Sequence, residues 1–307
     1  MISTSDFCQK EYGSKLYKIS FDAGFSCPNR DGTLHSRGCI FCSEGGSGDF
    51  AVKLPQFIKT PWMNNPNFEK EQEAFEGAIA KAKQMVAAKY SGDKYIAYFQ
   101  AYTNTYADIE ILRNTYESII RRDDIAVLSI ATRPDCISEE TYKLLDELNR
   151  IKPVWVELGL QTVKEESVRY IRRGYENSVY AKAIKRLNEI GIHTITHVIL
   201  YLPGETKENM FDTVRYAVDS GTKGIKLQLL HVLKGTDLGE EYLKNPENFI
   251  FPTLEEYVGT VDECISICPK NMVFHRLTGD PPRELLLSPM WATDKKRILN
   301  LLRKRNS

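Results

Sequence analysis

Six short apolar runs set the tightest limit on how this chain can fold: YKISF from Tyr17, YIAYFQAY from Tyr95, IAVLSIAT from Ile125, VWVELGL from Val154, THVILYL from Thr196 and GIKLQLLHVL from Gly224. Each is nearly continuous rather than alternating, the pattern of strands covered on both faces, and so of a parallel sheet. The segments between them have helical spacing. EKEQEAFEGAIAKAKQMVAAK brings Phe75, Ile79, Met85 and Val86 round a helix of good formers. NSVYAKAIKRLNEIG offers Asn177 and Ser178 as caps, sets Ala183, Ile184, Leu187 and Ile190 on one face and stops at Gly191. Similar segments follow Thr105, Ser138, Thr206 and Thr253. Strand then helix, repeated about every 30 residues, is a βα unit. Six units suit an α/β fold, either an open doubly wound sheet or an incomplete barrel, and the pattern does not choose between them.

Polar residues gather where the strands end: residues 100–105, 132–134, 157–161 and His231. In either architecture that rim is where ligands bind. Before the second strand, SEGGSGDFAVKLPQFIKTPWMNNPNFEK reads as a lid or flap, or as a plain surface loop. A chain of 307 residues with 42% hydrophobic and 27% charged content has the makeup of a soluble globular protein with a well-filled core. No run approaches the roughly 18 apolar residues of a membrane span, and MISTSDFCQKEY holds no secretory apolar stretch, so the expected location is the cytoplasm, away from membranes. Zero net charge argues against wholesale wrapping of nucleic acid, but Lys295, Lys296, Arg297, Arg303, Lys304 and Arg305 make a basic tail, either an RNA contact or a solubilising last helix.

The stretch CPNRDGTLHSRGCIFC crowds Cys27, Cys39 and Cys42, three of the chain's seven cysteines, into one polar loop. In a reducing compartment, such cysteines are free, metal-binding or catalytic rather than bridged. Three readings stand. A zinc site would need a fourth ligand, such as His35. A redox pair of Cys39 and Cys42 would prefer a helix start and leaves Cys27 unexplained. An iron–sulfur cluster on three thiolates would keep one iron open to a small chelating molecule, and Phe41 would give it an apolar wall.

Over residues 15–280 the chain resembles radical S-adenosylmethionine (SAM) enzymes, in the branch with a wide first cysteine gap that includes the elongator catalytic subunit and the oxygen-independent coproporphyrinogen oxidases. The resemblance implies a partial (β/α)6 TIM-type barrel over residues 15–270, with an N-terminal extension, residues 1–14, and a C-terminal extension carrying the basic helix, residues 271–307. It implies that Cys27, Cys39 and Cys42 hold a [4Fe–4S] cluster whose fourth iron binds SAM, with Phe41 near the adenine. YFQAYTNTY stands where the branch has a Gly-Gly-Glu-like segment, making Gln100, Thr103 and Asn104 the counterparts that meet the SAM amine. In VELGLQT, Glu157 would accept from ribose hydroxyls and Gln161 would support it; an acid in an apolar strand is costly unless partnered. Arg173 of IRRGYENS would clamp the SAM carboxylate, and Tyr175 replaces a frequent histidine. Thr132 and Arg133 reach the same pocket, or Arg133 pairs locally. The LPGET turn would bring Leu202, Pro203 and Gly204 past the adenine by backbone contacts, or is a plain βα turn. Gln228 and His231 would form the wall beside it.

His193, His197 and Cys136 read as structural, and Cys264 and Cys268, four apart on a helix, do not make a second cluster without further thiolates. Arg276 and Asp280 of HRLTGDPP are the best polar contacts of a segment closing the substrate side. The implied chemistry takes an electron from a flavodoxin or ferredoxin, cleaves SAM reductively and abstracts a substrate hydrogen. Kinship with the elongator subunit points to the wobble uridine of transfer RNA, and the small bacterial family within this branch to conversion of 5-carboxymethylaminomethyluridine to 5-aminomethyluridine. The path would run from hydrogen abstraction at the glycyl-like methylene through loss of that fragment to the free amine. Trp62 and Trp291 are candidates for stacking a base. A small-molecule or peptide substrate is one alternative, and a non-enzymatic iron–sulfur or zinc protein that binds a partner is another.

Overall fold

The computed structural model describes residues 1–46, 48–55 and 68–305. All six expected strands form, as β2 (Tyr17–Asp22), β4 (Tyr95–Phe99), β5 (Ile125–Thr132), β6 (Val154–Gln161), β7 (His193–Leu200) and β8 (Gly224–Leu229). Two-residue strands β1 (Ile2–Ser3) and β3 (Val52–Lys53), with β10 (Val273–Arg276), extend them into one sheet of order β1-β10-β8-β7-β6-β5-β4-β2-β3. Every pairing in it is parallel. A separate hairpin pairs β9 (Val232–Leu233) with β11 (Leu286–Ser288). The ordered succession of strands is that of a partial barrel, which decides between the two architectures the pattern left open. Ile2 and Ser3 pair with Val273 and Phe274, so the sheet draws on both flanks of the chain and crosses the boundaries at 14 and 271.

Helices α2 (Phe68–Gln84), α3 (Ile109–Ile120), α4 (Glu139–Ile151), α6 (Asn177–Glu189), α7 (Lys207–Asp219) and α9 (Leu254–Ile267) cover the outer face of the sheet. Alternate strand residues explain how one strand serves two surfaces. Outward residues such as Ile19, Phe21, Phe99, Leu128, Val156, Leu158, Val198 and Leu227 join the helices in the main core. Several helix starts are fixed by the expected side chains: Ser138 accepts from Thr141 N–H, while Thr206 with Asn209 and Thr253 with Glu256 form capping boxes. Asn177 and Ser178 do not cap α6, whose N-cap is Glu176; Asn177 instead bonds the Val163 carbonyl.

Inward residues are layered. At the N-terminal end of the strands, Ile96, Val127, Trp155 and Ile195 meet Phe7 and Cys8 of α1 (Thr4–Tyr12), so this helix plugs the barrel floor. Trp155 is fully buried and packs against Phe7, Tyr12, His193 and His275. The space toward the strands' C-terminal ends is lined by polar and apolar side chains together.

Candidate active site

A cavity of about 630 Å³ opens at the C-terminal ends of the strands, and Cys27, Cys39 and Cys42 line one part of it. The loop carrying them is folded on itself. The Cys27 carbonyl accepts from Arg30 N–H at 2.7 Å, Asn29's carbonyl accepts from Gly38 N–H at 2.6 Å, and the Cys39 carbonyl accepts from Cys42 N–H at 3.0 Å. Ile40 fastens the turn to the barrel: its N–H reaches the Ile171 carbonyl at the end of α5 (Glu165–Tyr170), and its carbonyl accepts from Leu238 in α8 (Asp237–Lys244). Asn29, fully buried, donates from Nδ2 to Cys39 Sγ at 3.3 Å and to the Arg172 carbonyl at 2.7 Å. Gly174 permits this approach, with φ of +82° and space so tight that a Cβ would lie 3.1 Å from Asn29 Oδ1. Burial, with Cys42 close by, pushes the Cys39 thiol up to about 12. Among the described residues, no three His, Cys, Asp or Glu side chains are set to hold a single metal ion.

Strand ends carry the rest of the rim. Tyr102, Gln161 and Tyr201, all non-glycine, have φ of +59°, +59° and +64°, a concentration of left-handed backbone just where β4, β6 and β7 stop. Phe41, Gln100, Thr103, Thr132, Gln161, Gln228 and His231 line the cavity. Among the described residues, the Thr103 hydroxyl and His231 Nε2 are buried with no hydrogen-bond partner. Thr132 shares a hydrogen bond of 2.6 Å with Thr105. Tyr175 donates to the Gly159 carbonyl at 2.8 Å, and the Arg133 guanidinium lies 4.8 Å from its ring centre while also pairing with Asp135 at 2.7 Å.

Four expectations are corrected. Arg173 lines the cavity but is no free clamp: buried, it donates to the carbonyls of Leu160, Thr162 and Tyr175 and to Asn177 Oδ1, all at 2.7–3.0 Å, and so holds the loop after β6 in shape. Asn104 lies off the cavity wall, its Nδ2 joining the carbonyls of Phe99, Ala101 and Ala131 at 2.9–3.2 Å. Leu202 packs with Ile40, Ile199 and Leu230 in an apolar cluster instead of lining the cavity. Glu157 does line the cavity, but its carboxylate is taken: Oε1 accepts from Lys18 at 2.5 Å and Ser129 at 2.8 Å, and Oε2 from Lys226 and from His197 at 2.7 Å. An acceptor with four donors has little left for ribose.

This buried network is what sequence reasoning missed. Burial would raise the Glu157 carboxyl, but the ammonium groups of Lys18 and Lys226 and the His197 bond outweigh it and hold the group well below the usual range. Burial also drives His197 down to about 4, so the neutral ring donates from Nε2 to the carboxylate. Lys18 and Lys226 also lie 4.2 and 4.6 Å from the Tyr98 ring centre. Strand alternation, applied inward from Glu157, is the signal that could have found Lys18, Tyr98 and Lys226.

Other candidates fall elsewhere. Cys264 and Cys268 sit in the main core, where Cys268 Sγ donates to the Cys264 carbonyl. Trp291 packs on Tyr257 and donates to the Pro252 carbonyl, away from the cavity wall. Trp62 and most of the expected flap lie outside the described residues. No described helix is long and apolar enough to cross a membrane.

The radical SAM superfamily model matches residues 36–217, and the Radical_SAM C-terminal domain model matches residues 222–306. Uncharacterized protein YtqA of Bacillus subtilis (strain 168) is 39% identical over 296 residues, covering 96% of this chain and 86% of that protein. The tRNA uridine(34) acetyltransferase of Methanocaldococcus infernus is 27% identical over 163 residues, 52% of this chain and 30% of that protein. Among solved structures, the archaeal Methanocaldococcus infernus Elp3 with an N-terminal deletion superposes with a TM-score of 0.63 at 16% identity, covering all of this chain and 64% of that one. That likeness speaks to the fold.

Proposed function

The chain belongs to the radical SAM superfamily, and on that premise we propose that it acts on the wobble uridine of transfer RNA, converting 5-carboxymethylaminomethyluridine to 5-aminomethyluridine. It is a SAM-dependent radical enzyme whose cofactors are a [4Fe–4S] cluster and SAM. The described residues fit both. Three cysteines line one cavity, Asn29 presents an N–H to the sulfur of one of them, and Thr103 and His231 keep unpartnered polar atoms on the same wall. Cys27, Cys39 and Cys42 would hold the cluster, and Phe41, Gln100, Thr103, Thr132, Gln161, Gln228 and His231 would contact SAM. Bound there, these cofactors would supply radical abstraction of hydrogen from an unactivated C–H bond.

The protein's share is to bind, orient and exclude water. Tyr175, Ile199 and Leu230 supply apolar wall, while the Glu157–Lys18–Lys226–His197 network fixes the cavity floor without loose side chains. The observation that carries the substrate reading is the partial likeness to a tRNA uridine(34) acetyltransferase, which falls on 52% of this chain. That protein shares 30% of its own length with this one, so its acetyl transfer is not carried over. An electron donor of the flavodoxin or ferredoxin kind completes the scheme. Nucleosides from the transfer RNA of cells with and without the gene test it: loss of 5-aminomethyluridine and its derivatives, with build-up of the carboxymethylaminomethyl form, is expected, and unchanged wobble uridines refute it.

A further inference from the structure

Charge in the cavity is unbalanced on one side. Among the described residues its wall carries seven Lys and Arg side chains and three acidic ones, and the acids are engaged. Glu157 holds Lys18 and Lys226, Asp280 holds Lys295 at 2.7 Å, and Asp49 accepts from Ser43 at 3.0 Å. Arg276, on β10, lines the cavity half-buried, and its guanidinium has no hydrogen-bond or ion-pair partner among the described residues. Its backbone sits in register with Lys226 on β8, so two cations are neighbours across one strand pair. Lys226 is already neutralised by Glu157, which leaves Arg276 as the cation of this strand pair with no counter-charge among the described residues. The positive field of Arg276 reaches Tyr98, His197, Lys226 and His231 alike.

We propose that Arg276, on the cavity wall and in register with Lys226, anchors a carboxylate of the substrate. A planar guanidinium matches the two oxygens of a carboxylate, and a half-buried one gains more from the pairing than an exposed one. Arg276 lies on β10, three places along the sheet from β6, after which α5 fastens the cysteine turn. The anchor is therefore separate from the cysteine end of the cavity. The choice of a carboxylate rests on the proposed substrate, whose glycyl-like arm must enter the cavity to be removed.

The test uses fragments and not RNA. Ligand-observed NMR of reconstituted protein saturated with SAM compares N-acetylglycine with N-acetylglycinamide. The acid is expected to bind and the neutral amide to bind much less; Arg276→Gln weakens acid binding about tenfold or more, Arg276→Lys restores part of it, and SAM affinity stays unchanged in both. Equal binding of acid and amide, or an acid preference that survives Arg276→Gln, overturns the proposal. So does a loss of SAM affinity in Arg276→Gln with the acid preference intact, which would assign the guanidinium to SAM. None of these outcomes depends on transfer RNA, so the wobble-uridine reading stands or falls separately, on cellular nucleosides.

Discussion

Lys226 donates its ammonium proton to Glu157 in the middle of the barrel, with side chains 3% and 0% exposed. A buried pair of this kind is held by geometry, and removing one partner strands the other. Glu157→Gln leaves Lys226 and Lys18 facing each other without a counter-charge, and is expected to destabilise the fold by about 3–5 kcal/mol. Replacing Glu157 and Lys226 together by Leu and Met restores much of that. Urea unfolding of the metal-free protein measures both, and a Glu157→Gln loss below about 1 kcal/mol, the range of a surface pair, would show that the network is not structural.

Acid sensitivity follows from the histidines. Burial sets His193, His197 and His231 down to about 4, against an ordinary value of 6.5. Between those values the unfolded chain binds protons that the folded one refuses, so the stability these rings contribute is present above pH 6.5 and is lost as pH falls toward 4. Melting temperature is expected to fall steadily over that interval. His231→Asn should make the fall shallower; an unchanged slope would mean that His231 titrates normally.

Cysteine roles separate by iron content. Cys27→Ala, Cys39→Ala and Cys42→Ala are each expected to lose most bound iron and sulfide after anaerobic reconstitution, whereas Cys136→Ala and Cys268→Ala keep it. Asn29→Ala removes the N–H that meets Cys39 Sγ at 3.3 Å, and should leave a cluster that forms but has a more negative reduction potential. An unshifted potential would show that this contact does not persist with the cluster in place.

Arg173 is predicted to act through the loop it holds. Arg173→Gln removes donors to three backbone carbonyls that are sealed from water, and a loss of about 2 kcal/mol or more is expected. SAM affinity would fall only alongside stability. A variant with unchanged melting temperature and lost SAM binding would restore the carboxylate-clamp reading.

The strands were legible because their outward residues, such as Phe99, Leu158 and Leu227, must meet the covering helices, and apolar neighbours fill the inner face for part of the way. β7 begins at His193, before the apolar run at Thr196, since His193 and Ile195 point to an aromatic floor that accepts a neutral ring. Two-residue β1 and β3 leave no periodicity to read, and β1 gains its place from β10, far along the chain. The cysteine loop was legible from spacing alone up to a choice among a zinc site, a redox pair and an iron–sulfur cluster. Glu157 was marked out by the expense of an acid in an apolar strand, but Lys18 and Lys226 pass for surface lysines until the sheet curls and turns them toward it. Arg173 misled because a guanidinium suits carbonyls as well as carboxylates.

The central claim is tested most directly by the reconstituted protein, reduced dithionite-free through a flavodoxin system, supplied with SAM and transfer RNA that bears 5-carboxymethylaminomethyluridine, with nucleosides and 5′-deoxyadenosine measured together. The account predicts that 5-aminomethyluridine and 5′-deoxyadenosine appear in step, and that neither forms with Cys39→Ala. Release of 5′-deoxyadenosine with the wobble uridine untouched would contradict the substrate, and a properly formed cluster that never cleaves SAM would contradict the enzyme.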